Sequence, residues 1–213
     1  KKIVTPVYNQ ILVQPVHTGI NDIGTWKSAL RAADMGLRSK LYDLYEDILM
    51  DGTVTDAIGK RIEAITDCDI NFTVNGKEVP RITELIDTVE FENQLKEIMW
   101  SLFWGISVDE YSFVNGFDFN SIPRKHIRPK EKLILRRQYD TDGISYSDDG
   151  MIIQWGEDDD LGLLLKVAPY VIYKRGGFGD WAQFVELFGM PQRIGKYNSM
   201  DEQSRRLLIQ AFE

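Results

Sequence analysis

Cysteine is almost missing from this 213-residue chain. Cys68 stands alone, which excludes an internal disulfide framework and falls short of any cysteine-based metal site. Composition makes it a small packing residue rather than a reactive thiol. Histidine is nearly as scarce, with His17 in a proline-bearing segment and His126 in PRKHIRPK. Neither sits in a metal-ligand spacing, and His126 is expected in a solvated basic loop. No run of about eighteen apolar residues occurs, so no segment is suited to cross a membrane as a helix, and no charged-then-apolar leader opens the chain. Repeats and low-complexity stretches are missing too. These absences point to a soluble, intracellular protein without a cofactor. Positive charge is in deficit: 25 Lys+Arg stand against 33 Asp+Glu, for a net charge of −8. That argues against a compact DNA-wrapping surface, because phosphate contacts need clustered cations. It leaves open a surface that DNA merely slides past.

What is present is ordinary globular material. At 43% hydrophobic residues the chain can form one large domain or two small ones with real cores. Residues 1–24 hold Pro6, Pro15, Gly19 and Gly24 among short β-rich runs such as ILVQPV. They read as an extended arm of the kind that packs on a neighbour. From Thr25 the spacing predicts a helix with Trp26, Leu30 and Ala33 on one side, ended by Gly36. A second helix carries Leu41, Leu44, Tyr45, Ile48 and Leu49 and breaks at Asp51-Gly52, and a third runs from Val54 with Ile58, Ile62 and Ile65. Residues 69–74 read as a strand closed by Asn75-Gly76, a two-residue hairpin signal. Pro80 suits a helix start, with Ile82, Leu85, Ile86 and Val89 on the inner face. Residues 91–104 form the next helix, with Leu95, Ile98, Met99, Leu102 and Phe103 inward and Gly105 at its end. Alternation around Asn115-Gly116 predicts a hairpin, and the short strands between residues 121 and 155 one small antiparallel sheet.

Glu157, Asp158, Asp159 and Asp160 are expected to open a helix near Leu161, where acidic side chains suit the helix dipole. No glycine-centred calcium-loop spacing surrounds them. Pro169 should kink or split that helix. Gly176, Gly177 and Gly179 read as a flexible loop; a phosphate-binding role would require a strand and a motif context that KRGGFGDW lacks. After this loop, Trp181, Phe184, Val185 and Phe188 fall at helical spacing and predict a buried aromatic stripe. Gly189 caps that helix, Pro191 prevents its resumption, Met190 is pushed toward extended geometry, and residues 193–197 (RIGKY) follow as a short strand. Two basic groups remain: Arg124, Lys125, His126, Arg128, Lys130 and Lys132, then Arg136 and Arg137 near Tyr139. They suit either nucleic acid or the acidic surface of a neighbouring subunit, the latter favoured in so acidic a chain. No convergent nucleophile, base or metal set emerges, so no catalytic residue is assigned.

The segment WAQFVELFGMPQRIGKY resembles the Mu-type phage portal proteins, whose members carry W-x-x-F-x-E-x-[YF]-G-x-P-x-R-[IV]-G-K-Y. Trp181, Phe184, Glu186, Phe188, Gly189, Pro191, Arg193, Ile194, Gly195, Lys196 and Tyr197 fit that form. Val54, Ala57, Ile58, Arg61, Ala64 and Ile65 fit a second pattern common in portal wings, and Gly105, Ser107 and Glu110 a third, with Trp104 in place of a tyrosine. The resemblance implies an α+β, portal wing-like fold of amphipathic helices and small antiparallel β-sheets. It divides the chain into an arm (1–24), a helical region with one hairpin (25–105), a β-sheet region (106–156) and a helical motif region (157–213). The opening Lys1 and the amphipathic ending suggest the N-terminal half of a longer protein, without stem and clip. Further implications are a structural role in the virion, at one capsid vertex, and assembly in the bacterial cytoplasm. Partners would be other copies in a ring of about a dozen, the terminase large subunit, capsid and head-tail connector proteins, and double-stranded DNA passing an acidic channel. Arg193 and Lys196 join Arg124, Lys125, Arg128, Arg136 and Arg137 as candidates for subunit or DNA contact. Two other readings remain: a small bacterial enzyme or ligand-binding domain with a site between sheet and aromatic helix, and a host interaction module descended from a prophage.

Overall fold

The computed structural model describes residues 6–13, 22–113, 117–189, 195–197 and 200–212. The chain divides into two compact units, Lys1–Ile172 and Tyr173–Glu213. Helix makes up 53% and strand 14%, the strands in small antiparallel sheets, so the fold is α+β.

Three helices open the first unit. Helix α1 (Ile23–Asp34) begins where the Asp22 carboxylate accepts the Thr25 amide at 2.6 Å, satisfying an amide left free by the helix start. Helix α2 (Ser39–Ile48) supplies the densest part of the core, with Leu41, Tyr42, Leu44, Tyr45 and Ile48 fully buried. Asp51 caps α3 (Gly52–Thr66) through the amides of Thr53 and Val54. Ile58 and Ile62 of α3 are buried, whereas Ile65 is exposed.

Strands β1 (Thr73–Val74) and β2 (Lys77–Glu78) pair around Asn75-Gly76, whose φ angles of 52° and 75° give the left-handed turn expected of that dipeptide. Helix α4 (Pro80–Ile86) stops before Thr88, which caps α5 (Val89–Trp104) through the Phe91 amide. Val89 therefore belongs to α5 and is exposed, and the side chain of Leu85 lies outside the described residues. The inner face of α5 follows Gln94, Ser101 and Trp104 and turns Leu102 outward. Polar residues can occupy that face because each has a partner: Gln94 reaches Asp109, and Ser101 Oγ donates to the Ile98 carbonyl at 2.6 Å.

Strand β3 (Ser107–Ser112) is central to a three-stranded sheet, flanked by β4 (Asp118–Ser121) and β8 (Ile152–Trp155). The turn at Asn115-Gly116 lies outside the described residues. Strands β5 (Ile127–Arg128), β6 (Leu133–Leu135) and β7 (Gly143–Ser145) form a separate sheet. The single sheet expected for residues 121–155 is thus two. The free edge of β3 offers β8 a distant partner, in register Ser107↔Trp155, that local sequence does not reveal. Where the arm is described, residues 6–13 contact their own chain. Glu110 accepts the amides of Val7 and Tyr8 at 2.8 and 2.9 Å, and the Leu12 amide donates to the Arg136 carbonyl.

Helix α6 (Leu164–Phe188) begins three residues later than expected and runs unbroken through Pro169, Gly176, Gly177 and Gly179. Pro169 is only its sixth residue, so a single backbone bond is lost near the helix start. The residues before α6 are fixed by a close approach. Gly105 and Gly162 sit at φ +87° and +75°, and a Cβ on either would collide with backbone atoms of the other segment. Helix α7 (Glu202–Phe212) ends the described chain.

Candidate functional site

The basic segment after β4 is drawn into the fold. Arg124 donates from Nε to the Ile106 carbonyl at 3.0 Å and from Nη2 to Ser107 Oγ at 2.7 Å, pairs with Glu97, and lies 5.1 Å over the Trp104 ring. Trp104 in turn meets Tyr42 and Tyr45 edge-on at 5.8 and 5.7 Å. Lys125 Nζ stands 2.7 Å from both Asp43 and Glu46. Burial pulls its pKa down, and the two carboxylates outweigh that pull and raise it. Arg128 pairs with Glu131 and donates to the Asp140 carbonyl, and Lys130 pairs with Asp159.

Lys132 occupies the left-handed region at φ 53°. Asp158 at 2.6 Å, Gln154 at 2.9 Å and the Tyr146 ring at 5.9 Å hold its ammonium. Hydrogen bonds from Gln154 and then Lys132 keep the Asp158 carboxyl below the usual carboxylate range. Arg136 and Arg137 are exposed, as is Lys130, but among the described residues neither of the two guanidiniums has a carboxylate partner. Five of the seven candidate cations in this stretch are thus neutralised internally, four of them by distant carboxylates that no local pattern announces and Arg128 by Glu131 three residues on.

His126, expected in solvent, is fully buried. It follows Pro123 in a short 3-10 turn over Arg124–His126, and its Nδ1 donates to the Leu135 carbonyl at 3.0 Å. A carbonyl can only accept, so the neutral ring keeps its proton on Nδ1. Burial pulls its pKa below the ordinary value, and Nε2 has no partner among the described residues.

The aromatic stripe is the largest correction. Trp181, Phe184 and Phe188 are 65%, 57% and 69% exposed and take no part in the core. Phe184 and Phe188 rings lie 4.9 Å apart along α6. Helical spacing reveals that a helix is one-sided, not which surface covers that side. Glu186 lies on the same helix, and the Gly189 amide closes it on the Val185 carbonyl at 2.7 Å. Met190, Pro191, Arg193 and Ile194 lie outside the described residues, while Gly195, Lys196 and Tyr197 are described and form no strand, with Lys196 and Tyr197 exposed.

Several buried polar groups carried no sequence signal. Arg38, 4% exposed, donates to the Asp158 carbonyl at 2.5 Å, and Tyr45 donates to the Leu161 carbonyl at the same distance. Asp109, fully buried on β3, accepts from Gln94 Nε2 at 3.0 Å. Its pKa is pushed up by burial, against the Gln94 bond that lowers it. An apolar cavity of about 250 Å³ lies among Val54, Ile58, Phe103, Leu163 and Val167, and one of about 230 Å³ among Tyr42, Trp104, Arg124 and His126. A third, about 450 Å³, is rimmed by Asp67, Asp69, Asp87 and Glu92. Among the described residues no group of three or more His, Cys, Asp or Glu is placed to hold a metal ion, and no helix is long and apolar enough to cross a membrane. Cys68 is exposed rather than packed.

No curated protein gives a match to the chain. The family model described as the portal protein of Mu bacteriophage matches residues 42–213, from the middle of the α2 core through the aromatic motif. By that match, over most of its length, the chain belongs to the Mu bacteriophage portal protein family, a family of structural proteins.

Proposed function

We propose that this chain is the wing-like part of a portal subunit, part of a ring of about a dozen copies at one capsid vertex. Through it a terminase motor drives double-stranded DNA during packaging, and DNA leaves by the same path on ejection. The observation that carries this reading is the family match over residues 42–213. Composition supports it: an acidic chain gives a conduit little affinity for phosphate, which favours sliding over sticking. The exposed aromatics of α6 suit a subunit that covers them on assembly. The protein would act without catalysis of its own, beside the terminase large subunit, capsid and head-tail connector proteins, in the host cytoplasm during assembly and then in the virion. The arm, helical, β-sheet and motif segments would be the wing's parts, and Arg193 with Lys196 remain candidates for neighbour or DNA contact.

The test is the mass and shape of the full-length protein, by light scattering and negative-stain imaging. Closed rings are the expected outcome; a persistent monomer or dimer at micromolar concentration would overturn the ring.

A further inference from the structure

The loop between β6 and β7 differs from the rest of the basic segment. Its backbone is pinned: the Arg136 carbonyl accepts the Leu12 amide at 3.0 Å, and the Arg137 amide donates to Asp140 Oδ2 at 3.1 Å. Its side chains are not. Both guanidiniums are exposed and lack a carboxylate partner among the described residues, and Tyr139 beside them is 68% exposed. Two arginines and a tyrosine on a fixed backbone are residue types in which binding energy concentrates at protein interfaces. Arginine also offers a planar fork that grips a carboxylate through two hydrogen bonds.

The occupant follows from charge. Double-stranded DNA suits the loop poorly. Two cations are few where binding at physiological salt rests on many phosphate contacts, and Asp140 and Asp142 share the same loop. A second copy of this chain suits it well, since the chain carries 33 acidic against 25 basic residues and has carboxylates in excess. Resting on the ring reading above, we infer that Arg136, Arg137 and Tyr139 form one half of a head-to-tail contact, gripping surface carboxylates of the neighbouring copy. In a ring the contact is heterologous, the basic loop of each copy meeting an acidic surface of the next, and the same contact repeats until the ring closes.

The experiment compares full-length wild type, R136E/R137E and R136K/R137K by light scattering, negative-stain imaging and thermal melting, over a range of salt, with retention of a double-stranded DNA fragment measured in parallel. Expected is a wild type that forms rings less readily as salt rises. R136E/R137E should melt with the wild type yet show at least a tenfold lower ring fraction, and R136K/R137K should fall between them because it keeps charge but loses the fork. Wild-type rings with an undiminished ring fraction in R136E/R137E would overturn this contact while leaving the ring intact. Normal rings that no longer retain DNA would assign the loop to DNA and overturn it too. A wild type that never forms rings would overturn the ring reading itself, and this contact with it.

Discussion

His126 shows how much a single residue's surroundings decide. In the sequence it stands among Arg124, Lys125 and Arg128, and every neighbour argues for solvent. In the fold its ring is buried against the Leu135 carbonyl, and the cations beside it are largely covered and paired with Glu97, Asp43, Glu46 and Glu131. Burial lowers its pKa from the ordinary 6.5, so the folded chain prefers the neutral ring. The stability linked to it should be fully present above pH 6.5 and decline as pH falls below that value, where the unfolded chain takes up a proton that the folded chain resists. Urea midpoints at pH 7.5 and 5.5 should therefore differ more in wild type than in His126→Gln; equal pH dependence in the two would remove His126 as the cause. Asp109, raised by burial, acts in the opposite sense, its contribution present below pH 3.8 and lost as pH rises. Lys132 carries a similar lesson. Its positive φ falls at the end of the tight β5–β6 turn, where its amide donates to the Pro129 carbonyl at 3.2 Å, while Asp158 and Gln154 hold its ammonium from 26 and 22 residues away.

Elements were legible where their signals were chemical and local. Asp51 at the start of α3, Asn75-Gly76 between β1 and β2, Pro80 opening α4 and Gly105 ending α5 each act through a backbone constraint within a few residues, and each stands where the sequence places it. Elements were misread where a local signal met a wider competition. Three glycines argued for a loop at residues 176–179, yet helix-forming sequence on both sides carries α6 through them. Each glycine costs a helix interior about 0.5–1 kcal/mol relative to alanine. No atom lies within 4 Å of a Cβ placed on Gly176 or Gly177, and neither has a positive φ. Gly176→Ala and Gly177→Ala should therefore each raise helix stability by about 0.5–1 kcal/mol, seen as greater ellipticity at 222 nm and resistance to heating. Loss of ellipticity would instead show that the glycines interrupt the helix.

For the whole molecule, the buried core among the described residues lies in the first unit. Its α6 members, Leu164, Ala168 and Val171, all precede Tyr173, where the second unit begins. A chain ending at Ile172 should therefore keep cooperative unfolding with a urea midpoint close to that of residues 1–213. A broad, non-cooperative transition would show that residues 173–213 complete the core. Family membership was readable in advance because a run of Trp, Phe, Gly, Pro, Arg, Lys and Tyr at set spacing is a one-dimensional property. So were the α+β class, the Asn75-Gly76 turn and the Gly105 helix end, the last two set by backbone chemistry. Tertiary structure alone decided that most of the basic segment is internal scaffold, that β8 joins β3 rather than its neighbours, and that Trp181, Phe184 and Phe188 of α6 are exposed among the described residues. Each of those depends on what lies across space from a residue, and pairing between distant charges, strand edges and helix faces leaves no trace in local order along the chain.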